Sequence, residues 1–429
     1  MPSSRDTMRK TDEPDALFPA TSVTPTSSGG SPTAVSRNFD PARLTQARQL
    51  AGLTKKQVAD LVGVSAAAIG QYESGTRPGP DVLTALAEQL GYPTTFFQIG
   101  RPYARLDSSA AHFRHLRETR AYQRAKAVSF TEQMWELTYA LEQRVELPHI
   151  DLPGFAGGEI TPGSSLPADP VQAARALRQH WKLGSGPVSH LSRTLEIRGI
   201  VVVHAPADGD FKTVDAFSTS RLPRPFVIVS RDRTTDVYRH RFTTAHELGH
   251  LVLHSDALPG DTQHEREADA FAAEFLTPRD SIVPELPTRI DLAAFAELQR
   301  TWGASMQSLI YRCREVGLFS DTTATRAYQR LNTAKSKPEP VEGFPGEQPT
   351  LLRKAFDLAS DYGLSIVELA DELHWPLPRL RLILGMQDHR PALDVIRGGR
   401  HDTTDGPTGP QSSARRLAVA SGQDGASRD

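Results

Sequence analysis

Cysteine is almost missing from this chain: Cys313 is the single thiol in 429 residues. No disulfide can close within the chain, and the composition fits a reducing compartment such as the cytoplasm. Cys313 lies in the apolar helical stretch Ser308–Cys313, where a buried structural thiol is expected rather than a nucleophile. Hydrophobic runs of membrane-spanning length are also lacking, as is an early apolar segment that could serve as a signal peptide. A soluble protein with no membrane partner is therefore expected. Charge of one sign is missing too, because 49 Lys and Arg stand against 51 Asp and Glu for a net charge of −2. Any nucleic-acid contact must then come from a local patch. The length leaves room for two or three domains with a sizeable core.

The stretch that carries chemistry is Thr243-Thr244-Ala245-His246-Glu247-Leu248-Gly249-His250-Leu251-Val252-Leu253-His254. On a helix, His246 and His250 are spaced i, i+4, so their imidazoles leave one face and can share a metal. Glu247 sits about 100° round from His246, where its carboxylate can hold a water without being a ligand. Ala245, Leu248, Leu251 and Val252 form an apolar opposite face suited to burial. This is the HExxH zinc-peptidase arrangement. A third histidine six residues past the second is ruled out, since that position is Asp256. Downstream, His264 to Pro278 reads as a second helix that proline ends. Within it Glu265 and Asp269 are again i, i+4. The first is the favoured third ligand, the second an acceptor for a ligand histidine's hydrogen. Glu267, on another side of that helix, remains the competing ligand.

Arg241-Phe242-Thr243-Thr244-Ala245-His246-Glu247-Leu248-Gly249-His250, then Glu265-x-Glu267-Ala268-Asp269-x-Phe271-Ala272 and Phe275-Leu276-Thr277-Pro278, resembles the ImmA/IrrE family of metallopeptidases over roughly residues 165–335. The resemblance implies a zincin-like (gluzincin) α+β domain holding Zn²⁺ through His246, His250 and Glu265. Glu265 fits the Glu-x-x-Ala-Asp pattern of related gluzincins. Glu247 would be the catalytic base and Asp269 the residue behind a ligand. Tyr238, His240 and Arg241 are the candidates for a further donor to the developing oxyanion. The family resemblance also implies a cytoplasmic protein substrate, typically a repressor.

Residues 1–37 are rich in Ser, Thr, Pro and Gly and are expected to be disordered. Four helices are then expected between Pro41 and Leu90, with Ser65 opening the third and Gly75 closing it. Residues 40–98 resemble the Cro/repressor (XRE) helix-turn-helix in Gly52-Leu53-Thr54, Gln57-Val58-Ala59, Gly63-Val64-Ser65 and Tyr72-Glu73-Ser74-Gly75. In that fold the third helix enters the major groove of double-stranded operator DNA. Its first residues, Ala66 and Ala67, offer methyl contacts, and Gln71 is the best polar reader. Lys55, Lys56, Gln57 and Arg77 are phosphate candidates.

Beyond residue 105 a helical connector is expected to 150. Arg114, Arg117, Arg120 and Arg124 would lie on one helical side of it, followed by the apolar stripe Met134, Leu137, Leu141, Val145. Linker composition marks 151–168, and the peptidase domain follows over 169–335. Strands are expected at Ile200–Val203, Val214–Ser218 and Phe226–Val229, a small sheet whose exposed edge suits an added peptide strand. After a second linker, 336–349, the helical unit 350–386 carries Gly363-Leu364-Ser365, Ala370-Asp371, Leu373 and Leu380. These echo Gly52-Leu53-Thr54, Ala59-Asp60, Val62 and Ile69 at the same offsets. The tail, 387–429, is expected to be disordered. The fold class is thus multidomain and mainly α: an all-α helix-turn-helix domain, an α+β peptidase domain and a C-terminal helix-turn-helix-like region. The function expected is a DNA-binding regulator that cuts a repressor protein. A sensory or vestigial metal site, or an antitoxin-like partner-binding role, is the alternative, and a homodimer is left open.

Overall fold

The computed structural model describes residues 31–106, 112–113, 120–156, 159–160, 166–205, 216–254, 261–334 and 338–386. The expected disordered tail from residue 387 lies outside them. Helix α1 (Pro32–Arg37) opens on a Ser31 cap and buries Val35. The described end of the stretch expected to be disordered is thus helical, because Val35 finds a place in the core beside the helices that follow. Helices α2 (Pro41–Leu50), α3 (Lys55–Val62), α4 (Ala66–Glu73) and α5 (Pro80–Leu90) begin and end at the expected punctuation. Thr54 and Gln57 form a reciprocal capping box, and Ser65 caps α4 through the Ala68 N–H. Gly63, at φ 71°, turns α3 into α4 in the left-handed region that glycine adopts most readily. Leu44, Val58, Ile69, Leu83 and Leu86 are fully buried at the centre of this unit.

The connector differs from expectation. His112–Phe113 is a strand, β1, and helix α6 (Ala121–Glu142) starts only after Arg120. The arginine stripe therefore does not form as one helical face: Arg114 and Arg117 lie outside the described residues, Arg120 precedes the helix, and Lys126 is buried. Met134, Leu137 and Leu141 are buried as expected, yet so are polar residues on the other sides of α6. Each of these finds a partner, as buried polar groups must. Glu136 takes Arg43 and, at 3.5 Å, Arg101. Ser129 Oγ donates to Gln49 Oε1 at 2.6 Å. Gln133 donates to Tyr92 Oη at 3.0 Å and accepts from Arg379 Nη2 at 2.6 Å. Removing one partner of a buried pair such as Arg43–Glu136 typically costs about 3–5 kcal/mol.

A short hairpin of β2 (Phe155–Ala156) and β3 (Glu159–Ile160) and the helices α7 (Pro170–His180) and α8 (Leu191–Glu196) lead to the main sheet. Its strands β4 (Val201–His204), β5 (Ala216–Thr219) and β6 (Phe226–Val229) take the order β1-β5-β6-β4. Strand β4 runs parallel to β6, and the β5–β6 and β1–β5 pairs are antiparallel. Alternate side chains face opposite ways. Val202, Ala216, Val227 and Val229 join a core with α7, α8 and the two site helices described below, whereas Val201, Val203, Phe217, Phe226 and Ile228 join the core of α6 and the helix-turn-helix. Apolar packing on both faces explains the unbroken hydrophobic runs. It also means that the 151–168 segment does not separate two independent cores.

Beyond the site helices, α11 (Arg279–Ile282), α12 (Leu292–Trp302), α13 (Met306–Glu315) and α14 (Asp321–Ala334) enclose a third core. Cys313 is buried within it, its thiol pushed up to about 11 by burial, which keeps it an inert structural thiol. The described part of the expected 336–349 linker is a strap held to the peptidase. Val341 is buried against Val237 and Tyr238, and Glu347 accepts from the Leu191 and Ser192 N–H groups at 2.9 and 3.1 Å. Glu196 in turn accepts from Thr350 N and Leu351 N at 2.8 and 2.9 Å, at the start of the next helix. Two carboxylates thus satisfy otherwise unpaired helix N-termini.

Helices α15 (Leu351–Asp361), α16 (Ile366–Leu373) and α17 (Leu377–Ile383) repeat α2, α3 and α4 at the offset seen in the sequence. Ser365 and Glu368 form the matching capping box, and His374, at φ 52°, takes the place of Gly63. This second unit packs on α6 opposite partners of its own, including Arg379 to Gln133.

Burial, first of all, raises the Glu132 carboxyl to about 7, although it accepts from Leu106 N and Tyr103 Oη at 3.0 and 3.1 Å. The folded state then holds a proton that the unfolded chain has already lost between about pH 4.5 and 7, so stability falls as pH rises through that window. Glu132→Gln keeps an acceptor without the charge. It should be more stable than the parent by about 3 kcal/mol at pH 8 and close to it near pH 4.5, as denaturant curves at both values would show.

Candidate metal centre

Two helices build the site. Asp236 caps α9 (Val237–Leu253) by accepting from Tyr238 N, and Asp261 caps α10 (Thr262–Leu276) through Gln263 N. Ala245, Leu248 and Leu251 of α9 pack with Phe271, Ala272 and Phe275 of α10. The two helices meet closely at Gly249, where an added Cβ would lie 3.1 Å from Phe271 Cδ1 and 3.2 Å from Ala268 Cα. That contact sets Glu265, one turn before Ala268, beside the two histidines.

His246 Nε2 and His250 Nε2 are 3.1 Å apart. Glu265 Oε2 is 3.4 Å from the first and Oε1 is 3.5 Å from the second. Burial holds His250 neutral, its pKa lowered to about 4. Burial alone would raise Glu265, but its contacts with His246 and His250 outweigh it and bring the carboxyl down to about 2. The structure thus brings together two imidazole nitrogens and one ionised carboxylate with their ligand atoms converging. Such a donor set fits a divalent cation. Behind it, His246 Nδ1 meets Asp269 Oδ1 at 2.8 Å, which places the hydrogen on Nδ1 and leaves Nε2 as the lone-pair nitrogen.

Glu267 is elsewhere. Its Oε2 is 2.8 Å from His254 Nε2, and its Oε1 accepts from Gln263 at 2.8 Å. His254 itself presents Nδ1 to His250 Nδ1 at 3.0 Å. Sequence reasoning gave His254 no role, although it continues the i, i+4 stripe of His246 and His250. Also missed was Ser218 on β5, which donates to Glu247 Oε2 at 2.8 Å within fully buried surroundings. No local sequence signal marks it, because it reaches Glu247 through strand pairing.

The three candidate oxyanion donors are committed to the scaffold instead. Arg241 pairs with Glu347 and donates to Gly303 O and Val188 O at 2.9 and 2.6 Å. Tyr238 Oη donates to Glu339 Oε2 at 3.2 Å. His240 is buried beside Ser192 Oγ at 3.2 Å, and burial keeps it neutral with a pKa of about 4. All three belong to the first turns of α9, which the 338–350 strap covers. The expected free edge is also changed: His112 and Phe113 pair with Ser218 and Phe217, so the outer edge of β5 carries β1.

In the helix-turn-helix unit Lys55, Lys56, Gln57, Ala66, Ala67, Gln71 and Arg77 are all exposed, on α3, along α4 and in the loop after it. Two of them have a structural tie. Lys55 Nζ lies 3.1 Å from Glu73 Oε2, and Gln57 Oε1 serves the Thr54 cap.

These observations define a class: a helix-turn-helix module packed through a buried helix onto an HExxH-bearing α+β domain. Comparison with known families agrees. Residues 195–314 match the IrrE N-terminal-like domain of the M78 peptidases, and residues 44–97 match a helix-turn-helix family of DNA-binding domains. The chain therefore carries a helix-turn-helix domain followed by a domain similar to the IrrE/ImmA-type M78 peptidases. No curated protein matches it. Among the described residues no helix is long and apolar enough to cross a membrane.

Two outcomes follow. Glu265→Gln should empty the site between His246 and His250, whereas Glu267→Gln should leave it filled and weaken it no more than about 10–100-fold, as loss of an outer-shell partner does; anomalous diffraction at the zinc edge, which locates the metal, distinguishes them. On DNA, Lys56→Ala should lower affinity for all sequences and reduce the salt slope by about one. Lys55→Ala should do less, since Glu73 already holds that ammonium. Gln71→Ala should cost about 1–3 kcal/mol on the specific operator alone.

Proposed function

We propose that this protein is a zinc-dependent endopeptidase of gluzincin type that is tethered to operator DNA and cuts a repressor or related regulator protein in the cytoplasm. The observation that carries the reading is the convergence of His246 Nε2, His250 Nε2 and the Glu265 carboxylate beside the buried Glu247. Zinc bound by these three residues would supply Lewis-acid polarisation of the scissile carbonyl and a water of lowered pKa. Glu247 accepts the proton of the attacking water and returns it to the leaving amine. Ser218 orients that carboxylate through its 2.8 Å hydrogen bond to Oε2. Asp269 and His254 fix the two ligand histidines with Nε2 available. An extended substrate that adds to β5 has to take the place of His112–Phe113, whose backbone pairs there.

The DNA-binding part of the reading rests on the exposed face of α4 and on the family match over 44–97. Because α6 joins both halves in one core, cleavage and operator occupancy belong to a single folded body.

Glu247→Gln removes the base and keeps the shape. Zinc content and melting temperature should stay close to the parent's, while cleavage of the repressor falls by at least about 10²–10⁴-fold. Target-gene induction and the repressor's size on a gel read this out in cells. Normal induction by the variant, with the repressor intact in both strains, contradicts the peptidase reading and favours a sensory metal site.

A further inference from the structure

Behind the proposed zinc centre, at the end of α9 and the start of α10, a second set of donors converges. His254, His264 and Glu267 each offer one ligand atom, all within 4.8 Å of one another. His254 is buried, and its Nε2 lies 2.8 Å from Glu267 Oε2. The rings of His254 and His264 have their centroids 4.4 Å apart. His264 Nδ1 is buried and has no hydrogen-bond partner. A buried nitrogen of this kind costs free energy unless something satisfies it. Gln263 holds the other Glu267 oxygen at 2.8 Å, which leaves Oε2 directed at the cluster.

We propose that His254, His264 and Glu267 form a second divalent-metal site that competes with the first. Two imidazoles and a carboxylate are the same donor chemistry as His246, His250 and Glu265, so the second site takes the same class of ion. The competition comes from the contact between His250 Nδ1 and His254 Nδ1 at 3.0 Å, which has room for one hydrogen. With His250 ligating through Nε2, its hydrogen is on Nδ1, His254 Nδ1 accepts it, and the His254 hydrogen sits on Nε2 facing Glu267. For His254 to ligate through Nε2, its own hydrogen must be on Nδ1. His250 Nδ1 then accepts, and His250 carries its hydrogen on Nε2, where the first site needs a lone pair. Each ring keeps one hydrogen in both arrangements, but only one of the two neutral rings can present Nε2 to a metal. The first site has the advantage, because Asp269 fixes His246 at 2.8 Å, while among the described residues no acceptor orients His264. Such a support is worth about 10–100-fold in affinity.

This inference rests on the first site holding a metal, not on its cutting a peptide, and metal content is therefore the readout. Full-length parent, Glu265→Gln, Glu265→Gln/His264→Ala and His264→Ala proteins are stripped, dialysed against buffered free Zn²⁺, and assayed for bound zinc. His246→Ala and His246→Ala/His264→Ala repeat the comparison with the first site broken at another ligand. The expected result is one tight equivalent in the parent and in His264→Ala. The two first-site variants should keep one equivalent about 10–100-fold weaker, and both double variants should keep none. No zinc in either first-site variant, or zinc retained in both double variants, overturns the proposal. In the first case His254 and Glu267 serve only to orient His250. If the parent binds zinc as expected and yet cuts no repressor, the peptidase reading fails while this one stands.

Discussion

The site depends on how closely α10 can approach α9, and Gly249 sets that distance. With only a hydrogen there, Ala268 and Phe271 settle against the α9 backbone; a methyl group would meet them at 3.1–3.2 Å. Everything on the facing side of α10 is positioned by that contact. Glu265 comes level with His246 and His250, Asp269 stands behind His246, and Glu267 stands behind His254. Shape complementarity in the apolar layer thus becomes polar geometry one turn away. A small shift between packed helices would move a carboxylate past the reach of a metal, since packed interiors deform in steps rather than smoothly.

A second constraint joins this site to the rest of the chain. The sheet is apolar on both faces, with α9 and α10 on one and α6 on the other. Helix α6 is buried along nearly its whole length, and its polar groups are tied to both helix-turn-helix-like units. Tyr92, Gln133 and Arg379 form one such chain across it, and Arg43, Glu136 and Arg101 another. Arg224 adds an anchor from the peptidase side through Glu142 and the Pro148 carbonyl. Helix α4 and the donor cluster are therefore parts of one packed body, not beads on a linker.

Much of this was legible in the sequence, for physical reasons. Capping residues and glycines act locally, so Thr54, Ser65 and Gly63 marked helix ends to within a residue or two. The i, i+4 spacing of His246 with His250, and of Glu265 with Asp269, survives any tertiary context because the helix alone imposes it. The repeat linking α2–α4 to α15–α17 showed for the same reason. What remained hidden depends on contacts between distant segments. Proline-rich composition suggested a linker around 340, but a buried Val341 and the Glu347–Arg241 pair hold it against α9. That pair also removed Arg241 from consideration as a catalytic donor. Nothing near Ser218 announces that it will touch Glu247, and nothing around His112 announces pairing with β5. Helix α6 was read from its apolar stripe, while its buried polar side chains could be understood only with their partners in view.

Anomalous diffraction at the zinc edge, from crystals of the protein loaded with one equivalent of Zn²⁺, tests the central claim most directly. The expected result is one peak enclosed by His246 Nε2, His250 Nε2 and the Glu265 carboxylate, with Glu247 beside it and not bound. A peak only among His254, His264 and Glu267, or direct ligation by Glu247, would contradict the account.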